Sequence, residues 1–183
     1  MPTAPTLETP RLVLRAPAAE DFEAFAAFAA DPEASRFLGG PQGRHAAWRT
    51  WCTLAGAWQI RGYSMFSVIE RSTAAWIGRV GPWMPEQWPG TEVGWGIVRS
   101  AQRKGYAKEA AEAALDFAFR ELGFREVVHC IDPANLPSIA LARSLGSERL
   151  RSGVRAPPPF DAIWDIYGQS REQWFGHKAS RGG

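Results

Sequence analysis

Residues 91–123 read TEVGWGIVRSAQRKGYAKEAAEAALDFAFRELG. Thr91 to Val98 is a short run of apolar and β-branched residues with glycines at alternate positions, the pattern of a strand. Polar and basic Ser100 to Lys104 follow, and Gly105 opens a helical pattern. Ala107, Ala110, Ala111, Ala114, Ala118 and Leu122 fall on one stripe of that helix. Lys108 with Glu112, and Asp116 with Arg120, stand four apart as ion pairs on the other side. Gly123 is placed to cap the end. The unit is a strand, a basic turn and a helix N-terminus.

A helix N-terminus offers unpaired backbone N–H groups and the positive end of the macrodipole, and so attracts anions. Arg103 and Lys104 add full charges just before it. Gly105 can take positive φ or let a ligand approach the backbone, and Ala107 is small. The anion this suggests is a phosphate or pyrophosphate, although the same letters also serve a plain strand-to-helix turn. Neither GxxxxGK[ST] nor a GxGxxG following a strand occurs in the chain.

At 183 residues the chain is expected to be one domain, 1–183, with 1–6 and 177–183 loose. A hydrophobic content of 45% and a charged content of 22% suit a globular protein. A net charge of +2 is too mild to argue for nucleic acid. No apolar run approaches a membrane span and no signal-peptide pattern opens the chain, so a cytoplasmic location is expected. Cys52 and Cys130 lack metal-ligand spacing and read as free thiols, with a disulfide as the alternative. No metal site is expected. Most of the nine tryptophans must be core or pocket wall.

Outward from the central unit, Arg11 to Arg15 alternates as a first strand. Ala18 to Ala30 places Phe22, Phe25, Phe28 and Ala29 on one helical stripe that stops near Asp31-Pro32. A second helix is expected from about Gly43 to Ile60, burying Trp48, Trp51, Cys52, Ala55 and Trp58. Tyr63 to Glu70 and Ala75 to Trp83 read as strands. Residues 82–90, PWMPEQWPG, are too hydrophobic for solvated filler and shape either a substrate mouth or an oligomer contact. Arg125 to Ile131 reads as a buried strand in which His129 is a core histidine. Leu136 to Leu145 is a short helix, and Ser147 to Val154 and Ala162 to Gly168 are a strand pair across the bend at Pro157, Pro158 and Pro159. A helical turn, Ser170 to Phe175, precedes a polar tail. The order argues for a mixed α/β sheet.

Gln102-Arg103-Lys104-Gly105-Tyr106-Ala107 fits the Q/R-x-x-G-x-G/A signature, and the chain resembles the GNAT acyltransferases. Leu7 to Arg15 (LETPRLVLR), Asp31-Pro32-Glu33, Ile77 to Gly81 (IGRVG) and the Asn135, Ser138 and Gly146 spacing resemble its RimJ/RimL-like branch, the ribosomal-protein N-acetyltransferase type. The resemblance implies a mixed, mostly antiparallel twisted sheet of about seven strands, flanked by helices, with the fourth and fifth strands splayed. It implies acetyl-CoA as cosubstrate, held by Ile97, Val98, Arg99, Arg103, Lys104, Gly105, Tyr106, Ala107, Asn135 and Ser138. It also implies a small-molecule or peptide amine as acceptor, and family habit, with the surplus of Trp in 76–95, suggests a homodimer.

Glu92, Gly94, Gly96 and Val98 share a strand face, so two positions on that face carry no side chain. An amine attacks only when neutral, and Glu92 is the expected base, directly or through a water. Asn135 also suits a helix N-cap, and Ser138 a local backbone bond. The tyrosine that many relatives carry seven residues after the asparagine is Ala142 here. Protonation of the leaving thiolate then falls to Ser138, to water or to no group, and a CoA-binding sensor without catalysis is the rival reading. The acceptor, a protein N-terminus or a small amine such as an antibiotic or polyamine, stays open.

Overall fold

The computed structural model describes residues 4–158 and 160–181. Its strands are β1 (Leu7–Glu8), β2 (Leu12–Arg15), β3 (Phe66–Glu70), β4 (Trp76–Trp83), β5 (Glu92–Ile97), β6 (Glu126–Ile131), β7 (Glu148–Arg155) and β8 (Ile163–Ser170). They form one 8-stranded sheet in the order β1-β2-β3-β4-β5-β6-β8-β7. Every neighbouring pair is antiparallel except β5 and β6. The strand beyond the seven expected is β1, two residues paired with Val13 and Leu14. The family's fourth and fifth strands are therefore β5 and β6.

The helices are α1 (Phe22–Ala30), α2 (Pro32–Ser35), α3 (Arg44–Arg61), α4 (Tyr106–Arg120), α5 (Leu136–Ser144) and α6 (Arg171–Arg181). One sheet face packs on α4, where Ala110, Ala111 and Ala114 let the helix settle close to Leu14, Val80 and Val93. The other face carries α1 and α3, with Phe25, Phe28, Trp51 and Trp76 in edge and tilted contacts. Alternation along β5 sends Val93 and Ile97 into the first core and turns Glu92, Gly94 and Gly96 toward the second.

Several expectations are corrected. The buried stripe of α3 is Ala47, Trp51, Leu54 and Trp58; Trp48 and Cys52 are exposed, and the Trp48 ring meets Phe22 edge-on at the margin. β3 begins at Phe66 rather than Tyr63, because Gly62 ends α3 in the left-handed region and Tyr63 turns aside onto Phe124. The pairs Lys108–Glu112 and Asp116–Arg120 do not form. Both carboxylates reach α6 instead: Arg181 donates to Glu112, and Trp174 and Lys178 donate to Asp116. The C-terminal segment is thus a helix to Arg181 with Trp174 fully buried, where a short turn and loose tail were expected. Residues 4–6 form no regular element, though Ala4 packs on the main core. Met1 to Thr3, Pro159, Gly182 and Gly183 lie outside the described residues. No helix among the described residues is long and apolar enough to cross a membrane.

Candidate active site

The parallel strands β5 and β6 pair at a single register point, Glu92 with Val128. Beyond it they part. The Val93 carbonyl, which points toward β6, accepts from the His129 ring instead of a strand amide, at 2.7 Å. Backbone alternation places the N–H and C=O groups of Trp95 and Ile97 on that same unpaired edge. Val98 faces the other way, and its N–H donates to the Ile77 carbonyl of β4 at 2.9 Å. Of Ile97, Val98 and Arg99, the residue placed on the open edge is Ile97; its carbonyl accepts from Gln102 Nε2 at 3.0 Å. Arg99 is exposed, 3.9 Å from Asp31.

At the far end of the split stands the N-terminus of α4. Gly105 is its N-cap at φ 82 with no side-chain cap, and Arg103 also has positive φ, 61. Left-handed backbone at both positions curls the loop, and the first amides of α4 have no protein acceptor among the described residues. Arg103 and Lys104 are exposed beside them and Ala107 stays small. Tyr106 turns its hydroxyl to Glu70. This concave set of amides with two flanking cations fits a pyrophosphate.

A residue not singled out in the sequence braces the cradle. Arg11 Nη1 donates to the Lys104 carbonyl at 2.9 Å, its Nε to Glu109 at 2.6 Å, and its guanidinium lies 4.5 Å from the Tyr106 ring centre. A Cβ on Gly105 would come 3.2 Å from this guanidinium, besides forcing a side chain into positive φ.

On α5, Asn135 is an N-cap, with Oδ1 accepting from the Ser138 amide at 3.3 Å. Ser138 Oγ accepts from Trp95 Nε1 at 3.1 Å, a bond across the split rather than the local backbone bond weighed from sequence. Ala142, at the family's tyrosine position, is buried against Ile131 and Tyr167.

Glu92, Asn135 and Ser138 line one cavity. Glu92 is only 7% exposed. Oε1 accepts from the Cys130 amide at 3.3 Å and Oε2 from Trp88 Nε1. Burial outweighs these donors and the nearby Arg79 charge, and lifts its pKa to about 7. The same burial, with the Glu92 charge, raises the Cys130 thiol, so Cys130 is no ready nucleophile. Both cysteines are free. A Cβ on Gly94 would stand 2.8 Å from the Met65 methyl and 3.2 Å from Glu92 Oε1, so glycine there leaves the carboxylate its place. The Gly96 position is closed by Phe28 and Leu38.

The 82–90 connection supplies cavity wall: Trp83 and Trp88 both face it, and Trp88 meets Phe160 edge-on and Trp164 at a tilt. With Trp76 in the core and Trp95 at the split, these tryptophans have work inside the molecule. His129 is buried, held by Val93 and Ser147, and burial drops its pKa to about 4, as suits a core residue. Among the described residues no three His, Cys, Asp or Glu side chains gather as metal ligands.

Residues 11–148 match the model of the acetyltransferase (GNAT) domain. The chain belongs to the GNAT family. This acetyltransferase is 30% identical over 147 residues to the uncharacterized N-acetyltransferase p20 of Bacillus licheniformis, covering 79% of this chain and 83% of that protein. The acetyltransferase structure from Agrobacterium tumefaciens superposes with a TM-score of 0.81 at 31% identity, over 92% of this chain and 96% of that one. The ribosomal-protein-S5-alanine acetyltransferase of Vibrio fischeri shares the fold, with a TM-score of 0.74 at 14% identity, over 93% and 98% of the two chains. GNAT enzymes use acetyl-CoA as cosubstrate, which agrees with a cradle built from backbone amides.

Arg79 is the cation at this cavity of the GNAT enzyme, half-buried with its Nε shut off from solvent. It lies within the IGRVG motif, yet sequence reasoning gave it no role. The available signal was one charge between glycines in an otherwise apolar strand. Burial lowers its pKa to about 10, which leaves it cationic at neutral pH.

Proposed function

We propose that this GNAT enzyme acetylates a primary amine by direct attack on acetyl-CoA, with Glu92 as the proton acceptor. The observation that carries the reading is Glu92 itself: a carboxylate buried at the point where β5 and β6 part, with its pKa raised to about 7. Ile97 on the open edge, Arg103 to Ala107 at the α4 cradle, and Asn135 would hold the cosubstrate. Bound acetyl-CoA supplies the thioester carbon that the amine attacks; the C–N bond forms and the C–S bond breaks.

An ordinary glutamate is a poor match for an amine near pH 7. Its pKa of about 4.3 lies several units below the roughly 8 of an α-amino group. Raising Glu92 to about 7 removes most of that gap while leaving the group ionised often enough to act. Ser138 accepts the Trp95 N–H, so its own hydroxyl proton remains for the departing thiolate. Ala142 cannot fill that role. The sequence motifs of Leu7 to Arg15, Ile77 to Gly81 and Asn135 to Gly146 support a RimJ/RimL-like placement within the family.

The test is twofold. Acetyl-CoA at about a hundred times its Kd should stabilise the protein by roughly 2.7 kcal/mol, and adding an acceptor amine should release free thiol. Absence of any melting shift at millimolar acetyl-CoA would remove the reading.

A further inference from the structure

Arg79 reaches the cavity from β4, at a position paired with Gly96 of β5. Among the described residues its side chain's one hydrogen bond goes to a sulfur: Nη1 lies 2.7 Å from Met65 Sδ. Nε is buried with no partner at all. Arg79 is absent from every ion pair of the described residues. A guanidinium carries five donors in a rigid fork suited to carboxylate, and a buried Nε–H left without an acceptor is costly. Glu92 acts on this cation through space, but no carboxylate of the described residues hydrogen-bonds it.

The position of the head group adds a direction. Met65 puts its sulfur on Arg79 and its methyl against Gly94, next to Glu92. Cation and base therefore both lie near one thioether, on the sheet face away from α4. The cavity measures about 100 Å³, against about 300–1,000 Å³ for pockets that take drug-sized ligands. Its remaining walls are largely aromatic, with Phe37, Trp83, Trp88 and Phe160 among them. A phosphate dianion ordinarily draws several cations. The chamber also holds the carboxyl groups of Glu92 and Asp132, so a single negative charge fits only at the Arg79 fork itself.

We propose that Arg79 anchors the carboxylate of the acceptor, which is a small amino acid whose amino group faces Glu92. The inference rests on the acetyltransferase reading above and names its substrate class. A cationic polyamine could meet Glu92 and Asp132 but would leave the Arg79 fork facing like charge. A protein N-terminus would bring an uncharged amide to the guanidinium and a chain too bulky for the chamber.

The experiment compares three matched series on the wild-type enzyme: α-amino acids, their carboxamides, and short peptides beginning with the same residues. The amino acids should lead in kcat/KM by tenfold or more, chiefly through KM. Arg79→Met, which keeps an unbranched stem beside Met65, should level acids and carboxamides, and Arg79→Lys should restore part of the preference. The N-acetyl amino acids, titrated into the complex with CoA, should bind more tightly than their carboxamides by a similar factor, and that comparison needs no turnover. Equal rates for acids and carboxamides, an acid preference that survives in Arg79→Met, or peptides that outrun both would each overturn the proposal, as would turnover of none of the three. A lost acetyl-CoA melting shift in the wild type would instead bring down the acetyltransferase reading itself.

Discussion

The two ends of the β5–β6 split are built from different materials. At the α4 end the cradle is backbone: amides of consecutive residues, curled by positive φ at Arg103 and Gly105, open to solvent and flanked by exposed charges. At the Glu92 end the chamber is side chain. Glu92 from β5, Arg79 from β4, Cys130 from β6 and Trp88 from the preceding loop converge there, with the Glu92 carboxylate itself buried. A backbone site tolerates changes of side chain but not of φ. A buried side-chain site depends on each charge and donor, because desolvation magnifies every term. The first end suits a cosubstrate common to a family, and the second an acceptor that varies between its members.

Breaking the two ends separately should give opposite phenotypes. Glu92→Gln should lower turnover near neutral pH by roughly two to four orders of magnitude, the usual worth of a positioned base. Its acetyl-CoA melting shift should be retained; if that shift vanished as well, the two ends would not be separable. Gly105→Val should do the reverse. It forces a β-branched residue into positive φ beside Arg11, and should weaken acetyl-CoA by about a hundredfold, read by calorimetry, while the apo protein stays folded. Arg11→Ala leaves the amides in place but frees the loop, so a smaller rise in KM for acetyl-CoA, about tenfold, is expected.

The smallest effect is thermodynamic. Glu92 has a folded pKa above its unfolded value, so its contribution to stability is full below about pH 4.5 and is lost as pH rises to about 7. Glutamine does not titrate. Between pH 4 and 8 the stability difference should therefore move in favour of Glu92→Gln by about 1–3 kcal/mol, measured by denaturant titration at both pH values. A constant difference would mean that burial does not shift Glu92.

The same contrast explains what could be read from the sequence. The cradle was legible because its parts are consecutive: Gln102 to Ala107 sits between a strand pattern and an alanine-rich helix, and local spacing encodes it. Glu92 was legible from its place ahead of that loop, and Asn135 as a cap from the turn before α5. Arg11 and Arg79 were not. Arg11 acts on Lys104 and Glu109, more than ninety residues away in sequence, and only the pairing of β2 and the packing of α4 bring them together. Arg79 reads as an ordinary charge in a strand until the sheet buries its Nε. The α4 ion pairs failed for a related reason. Spacing of four offers a partner on the same helix, but α6 brought Lys178 and Arg181 to Asp116 and Glu112. The two missing tertiary facts, strand register and the docking of α6, leave no mark on local periodicity.

The claim that Glu92 is the working base is tested most directly by the pH dependence of kcat for wild type and Glu92→Gln on one acceptor, from pH 5.5 to 9. A carboxylate must be ionised to accept a proton, so the wild-type rate should rise with pH and bend over near 7, where burial has placed this group. Glu92→Gln should lack that bend and climb steadily as the acceptor itself loses its proton, so that its defect narrows toward pH 9. Parallel profiles with the same bend, or similar rates throughout, would contradict the account and leave water held by the backbone as the proton acceptor.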